Sequence, residues 1–598
     1  MYTIVIGSGC AGFNAADWLY DLGVKNVLLV TEGINMGTSR NTGSDKQTYY
    51  KLTLAGDEPD SVYEMACTLF EGGSVHGDNA MAEAACSTKA FMKLVNLGLP
   101  FPHNKYGAYV GYKTDHDPRQ RATSCGPLTS RYMTEALEKS VKAKGIEILD
   151  NNQVVKLITE KVAGNNHICG IAVLDKTTKE YKVLACQHVI LATGGPAAIY
   201  EARVFPESQT GGSGLALEAG AAACNLPEWQ YGLASTDFRW NVSGTYQQVL
   251  PKYISVDAEG NEYEFLNEYF DNPHEALDMV FLKGYQWPFD VRKIGGSSRI
   301  DQIVAAEINE KGCSVYMDFR HNPTKLDFGK LSEETYTYLE RSGALFGTPI
   351  ERLAKMNPKA VNLYKDNGID LYKEPLKVAV CAQHCNGGIA VDENWESTIK
   401  GLYVVGEVAG TFGVYRPGGS ALNSTQVGSM RAAEHIAHKK NVQASSSTPE
   451  FTPPAVKYAA NSTAKENFIK SQKSMSKCAA YVRDLPEMKK LHEELSKRKE
   501  VFFEENTITT ETELPELHKY YDALVTQAEV LSAMIFAAEN MGSRGSALVK
   551  DAGFDTGQFK DRVVTTIGGK SCFEPIRPLP LCDDWFETVW NAFDKAGK

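Results

Sequence analysis

Three glycines spaced Gly7-x-Gly9-x-x-Gly12 stand directly behind a short apolar run, Tyr2-Thr3-Ile4-Val5-Ile6. Glycines at this spacing make a tight turn and let the backbone approach a pyrophosphate, whose charge sits at a helix N-terminus. Such a site also wants a carboxylate about twenty residues on, where it accepts hydrogen bonds from ribose hydroxyls, and Glu32 occupies that place. A second chemistry is offered further along. Arg416 lies in Arg416-x-Gly418-Gly419, and a planar guanidinium beside glycines can grip a carboxylate that comes close to the backbone. His384 precedes Gly387-Gly388-Ile389 and is flanked by Cys381 and Cys385; three candidate ligands in five residues, with no distant second pair, do not make a metal site. No metal is expected.

These groups work only if regular elements carry them. The run over residues 2–6 reads as a buried parallel strand, and Phe13 to Leu22 reads as a helix packing through Ala15, Ala16, Leu19 and Leu22. A second strand, Val27-Leu28-Leu29-Val30, ends at Thr31-Glu32. Strand, turn, helix, strand and acid in that order make a dinucleotide site, although the motif serves NAD and FAD alike. Two later strands end in small or acidic turns: Val189-Ile190-Leu191-Ala192-Thr193-Gly194-Gly195 and Gly401-Leu402-Tyr403-Val404-Val405-Gly406-Glu407.

Composition bounds the rest. The chain has 598 residues, 43% hydrophobic and 23% charged, so a globular protein with more than one core is expected. A net charge of −12 argues against nucleic acid as a partner. No apolar run reaches the ~18 residues of a membrane span. The sequence enters a strand at once, without an export signal, and its thirteen cysteines form no CxxC pair, so a cytoplasmic protein with reduced thiols is expected.

The late strands, returning far apart in sequence to one sheet, resemble those of flavoproteins with two dinucleotide-binding folds. The resemblance then narrows. Ser39-Arg40-Asn41-Thr42-Gly43, His384-x-x-Gly387-Gly388-Ile389, Arg416-x-Gly418-Gly419-Ser420-Ala421-Leu422 and Glu539-x-x-x-Ser543-Arg544-Gly545 resemble segments of the flavoprotein subunits of fumarate reductase and succinate dehydrogenase, with L-aspartate oxidase and the soluble fumarate reductases as relatives. The resemblance implies an α/β fold: an FAD domain over 1–225 and 376–440, an inserted α+β capping domain over 226–375, a linker over 441–464, and a helical bundle with a tail over 465–598. It implies FAD held by Gly7, Gly9, Gly12, Glu32, Ser39, Asn41, Thr42, Gly43, Thr193, Gly194, Glu407, Ser420, Ala421 and Leu422. Asn41 stands where the membrane-bound members carry a histidine linked to FAD, so non-covalent binding is implied.

By the same resemblance Arg416 and His384 clamp the anionic end of a small substrate, and Arg299 falls on the arginine read as proton donor. The departures matter as much. Gly232 and Leu233 replace a substrate-binding histidine, and Ser243 to Gln248 lack the Glu and Arg of a proton relay. Fumarate and succinate are therefore not the expected substrates, and Tyr246, Arg239 and Trp240 are candidates to line a rebuilt pocket. His103, His116 and His274 read as structural. The expected reaction is hydride transfer at a carbon–carbon bond. The alternatives are oxidation at a C–N or C–O bond, as in L-aspartate oxidase, or service in electron transfer beside an iron–sulfur protein.

Overall fold

The computed structural model describes residues 2–56, 58–209, 211–439, 448–581 and 585–595. The apolar runs form the strands that their composition predicts. Tyr2–Ile6 pairs in parallel with Val27–Val30 on one side and with Tyr181–Leu191 on the other, placing Ile4 between Leu28 and Val189. Glu147–Leu149 extends the sheet beyond Val27–Val30, and Leu402–Val404 pairs in parallel with the end of Tyr181–Leu191. Ile4, Val5, Leu29, Val189, Ile190 and Leu402 are fully buried, as strands covered on both faces require. The helix Cys10–Asp21 follows the glycine turn and packs on Ser420–His438.

A second, antiparallel sheet builds the cap. Its order is Trp240–Asn241, Trp229–Ser235, Leu376–Cys385, Ser314–Asp318, Lys252–Val256 and Glu262–Tyr263. The turn over 257–261 closes a hairpin, with Val256 opposite Glu262. Leu376–Cys385, assigned from sequence to the returning half of the FAD domain, is thus a central strand of the cap sheet. It pairs with Trp229–Ser235 through an irregularity: Gln230 faces His384 and Tyr231 faces Ala382, leaving Gln383 as an extra residue. The cap has its own core, in which Tyr246, Phe319, Val378 and Tyr364 are buried.

Three helices follow, Thr463–Cys478, Leu485–Glu500 and Leu514–Asn540. The linker expected over 441–464 lies outside the described residues up to position 447. Behind the helices, Arg562–Ile567 and Lys570–Pro575 form a hairpin whose first strand pairs with Ala223–Cys224, so this part of the expected tail is sheet. Among the described residues no helix is long and apolar enough to cross a membrane.

Candidate active site

The parallel strands end at one edge, and a cavity of about 700 Å³ opens there, a size suited to a small-molecule ligand. Its wall takes Gly7 after the first strand, Thr31 and Glu32 after the second, Thr193 and Gly194 after the third, and Gly406 and Glu407 after the fourth. Two glycines shape the turn. Gly7 has φ +112°, a conformation that L side chains rarely adopt, and a Cβ on Gly12 would stand 1.9 Å from the Gly7 carbonyl oxygen. The Gly9 backbone opens the helix Cys10–Asp21, whose Cys10 N–H donates to Ser39 Oγ at 3.2 Å.

This half of the wall fits a dinucleotide. Thr193 Oγ1, Asn152 Oδ1 and Gln153 Oε1 are buried without a hydrogen-bond partner, and all three residues border the cavity. Buried polar atoms left in that state call for a ligand. Glu32 faces the same space, with Lys519 Nζ 3.2 Å from its Oε2. Lys519, Tyr521, Asp522 and Val525 bring the helix Leu514–Asn540 onto the wall.

The other half is built under the cap. Gln230, Gln248, Trp287, Gln383, His384 and Arg416 line it. Arg416 Nη2 donates to Gln230 Oε1 at 2.6 Å and its Nε to Asn386 Oδ1 at 3.3 Å. Both partners are neutral. Among the described residues no carboxylate lies within ion-pair distance of Arg416, and burial brings its guanidinium down to about 10. Glu407 accepts from the Cys385 N–H at 2.9 Å, and burial pushes its carboxyl up to about 7. His384 Nδ1 lies 2.9 Å from Asn386 Oδ1, and its Nε2 is buried without a partner. Burial, with the Arg416 charge beside it, holds the imidazole well below its ordinary value.

Of the residues expected at the cofactor, Gly7, Gly9, Glu32, Ser39, Thr42, Gly43, Thr193, Gly194, Glu407, Ala421 and Leu422 line the cavity. Gly12 serves the turn from behind it. Asn41 is exposed and donates to the carbonyls of Asn35 and Gly37. Ser420 is buried at the start of Ser420–His438, and its hydroxyl donates to the Pro417 carbonyl.

Two expected catalytic residues lie elsewhere. Arg299 donates through Nη2 to the Tyr269 carbonyl and sits 4.2 Å from the centre of the Phe270 ring, outside the cavity wall. Tyr246 is fully buried in the cap core, its hydroxyl on the Ala360 carbonyl at 3.0 Å. Arg239 pairs with Glu207, and Trp240 stacks on Phe238. Asn241, Ser243, Gly244 and Gln248 line the rebuilt stretch instead. His116, read as structural, is on the wall, held at φ +57°. Gln383 was missed because a bulge turns two successive side chains toward one space, which a period of two does not foretell. Cys381 packs among apolar side chains, and no group of His, Cys, Asp and Glu among the described residues could hold a metal ion.

Comparison with known proteins agrees with this geometry. A family model described as FAD binding domain matches residues 3–422. L-aspartate oxidase of Streptomyces coelicolor is 25% identical over 442 residues, covering 73% of this chain and 67% of its own. One subunit of the fumarate reductase (CoM/CoB) of Methanothermobacter marburgensis is 25% identical over 451 residues, covering 74% of this chain and 73% of its own. Among solved structures, a chain of the Mycobacterium smegmatis Sdh1 complex in the apo form superposes with a TM-score of 0.73 at 17% identity, covering 97% of this chain and 95% of that one.

Proposed function

The chain belongs to the FAD binding domain family, and from that premise we propose that this FAD-dependent oxidoreductase acts on a small organic anion anchored by Arg416 under the cap. FAD, when bound, supplies a ring that takes up or returns a hydride. The chain's own residues bind, orient and discharge the substrate. One observation carries the reading: Arg416 is a cation on the cavity wall whose hydrogen-bond partners, Gln230 and Asn386, are both neutral. A guanidinium so placed is a site for an anion, and its planar fork suits a carboxylate. Reduction of a carbon–carbon double bond needs a proton donor, the role that the resemblance implies for Arg299. Arg299 is off the wall, whereas His384, whose imidazole burial keeps from taking up a second proton, is on it. Oxidation at a carbon bearing oxygen or nitrogen, which needs a proton acceptor, is the reading His384 supports.

A screen of hydroxy acids, amino acids and enoates for anaerobic bleaching of the flavin identifies the best substrate. Arg416→Ala is then expected to lower kcat/KM by roughly 100-fold or more. Turnover surviving within tenfold overturns the anchor.

A second reading, an electron-transfer partner of the iron–sulfur class, is favoured by the helix Phe586–Lys595. Phe586, Val589, Trp590 and Phe593 recur at helical spacing and are half to two-thirds exposed, as in helices that dock into a partner's groove. Reoxidation of the reduced enzyme by a small iron–sulfur protein is expected to slow severalfold when residues 581–598 are removed; equal rates overturn this reading.

A further inference from the structure

We propose that Asn386 fixes His384 as a hydrogen-bond acceptor, so that the cavity selects an anion carrying an O–H or N–H donor besides the group that Arg416 holds. The inference rests on the reading of Arg416 as anchor and names what the substrate must present to the opposite wall.

The Asn386 amide is fully buried. Its Nδ2 donates to the Gly413 carbonyl at 2.9 Å and to the Val414 carbonyl at 3.4 Å. Backbone carbonyls only accept, so the amide has one orientation and Oδ1 points the other way. Oδ1 meets Arg416 Nε at 3.3 Å and His384 Nδ1 at 2.9 Å. An amide oxygen cannot donate, so the imidazole proton resides on Nδ1. In the neutral ring Nε2 is then a bare lone pair.

That lone pair has no partner, and His384 is only 7% exposed. Next to it, Gln383 is held in the same manner. Its Nε2 donates to the Leu233 carbonyl at 3.3 Å, and its Oε1 is buried without a partner. The bulge that inserts Gln383 opposite Gln230 and Tyr231 brings both side chains to the wall. Two orphaned acceptors thus accompany one cation. A ligand carboxylate would meet lone pairs at His384, whereas a hydroxyl or amino group would satisfy them. A site of unpaired acceptors rejects the analogue that lacks the donor.

The test uses the FAD-loaded protein and three carboxylates of equal length: lactate, alanine and propionate. Anaerobic perturbation of the flavin spectrum is expected to show lactate, alanine or both binding roughly tenfold or more tightly than propionate. His384→Asn keeps a donor toward Asn386 but removes Nε2, and is expected to bring the three within about twofold. Propionate binding as tightly as the better of the other two overturns the proposal. Arg416→Ala is expected to weaken all three alike. If none of the three binds the native protein, the Arg416 anchor is what fails, and the protonation of the imidazole then decides the role of His384.

Long-range proton–nitrogen spectra of histidine-labelled protein, assigned with His384→Asn, are expected to show the Nδ1–H form at neutral pH. In Asn386→Asp a carboxylate faces Nδ1, and the ring is expected to take up its second proton at higher pH. An Nε2–H ring or an imidazolium at neutral pH in the native protein overturns the proposal.

Discussion

Glu83 is a carboxyl group almost without water. It is 3% exposed, Ser424 Oγ donates to its Oε1 at 2.7 Å, and burial pushes it from 4.5 up to about 7. The folded protein therefore holds this proton more tightly than the unfolded chain does. Stability from that proton is complete below about pH 4.5 and is lost as pH rises through about 7. Glu83→Gln keeps an acceptor toward Ser424 and removes the charge. Its stability is expected to match the native protein's in acid and to exceed it by up to ~3 kcal/mol above neutrality, read from urea unfolding at both pH values. A variant weaker at every pH would mean that Glu83 is charged and well paired.

The same scale shows what sequence can reveal of a site. Gly7, Gly9 and Glu32 are legible because one local unit of strand, turn and helix places them all. Asn386 and Gln383 are not, because their roles come from partners far along the chain: the Val414 carbonyl for one, Leu233 for the other. Arg299 shows the same dependence on distant partners. Its position early in the helix Ser298–Asn309 is consistent with a site, but the direction of its side chain is set by Tyr269 and Phe270.

Elements were easier to read than contacts. Both strands of the first unit have the predicted bounds, since a continuous apolar run between polar turns leaves little choice. The strand ending at Leu191 is longer than its apolar part, because Tyr181–Leu184 pairs antiparallel with a hairpin strand and needs no double burial. The Ser543-Arg544-Gly545 segment was legible as a motif but not as a contact. Arg544 donates through Nε and Nη2 to Glu228 Oε1 at 2.9 and 2.8 Å, with both side chains nearly buried. It thereby ties the helical region to the residue just before the strand Trp229–Ser235. Arg544 Nη1 also lies 3.6 Å from Asp555 Oδ2, so Arg544→Met would leave the carboxylates of Glu228 and Asp555 uncompensated, and a loss of ~3–5 kcal/mol in unfolding free energy is expected. Adding Glu228→Met and Asp555→Asn should recover most of it, and a triple variant no better than the single one would show that these charges are not the issue.

At the scale of the whole molecule, one helix of the C-terminal region reaches the nucleotide end of the cavity through its first turns. Leu514–Asn540 has 27 residues, a length of about 40 Å. Its early turns carry Lys519 against Glu32, and place Asp522 Oδ1 2.9 Å from the Leu215 N–H. Shortly beyond its last turn comes Arg544, against Glu228. The first turns of this helix therefore border the candidate FAD site, and the cofactor's grip is expected to depend on residues outside the family match at 3–422. The family resemblance implies that Asn41 replaces a linking histidine, and the FAD is therefore expected to leave the protein on acid precipitation, colouring the supernatant and not the pellet. Exchangeable FAD makes that dependence measurable. Lys519 is 6% exposed and pairs with the Glu32 carboxylate on the cavity wall. Lys519→Met is expected to raise the dissociation constant for FAD about tenfold, the size of one lost charge-assisted hydrogen bond. Arg544→Met, at the far end of the same helix, should leave that constant within about twofold at temperatures where the variant stays folded. An unchanged constant in Lys519→Met would mean that the helix covers the nucleotide without holding it.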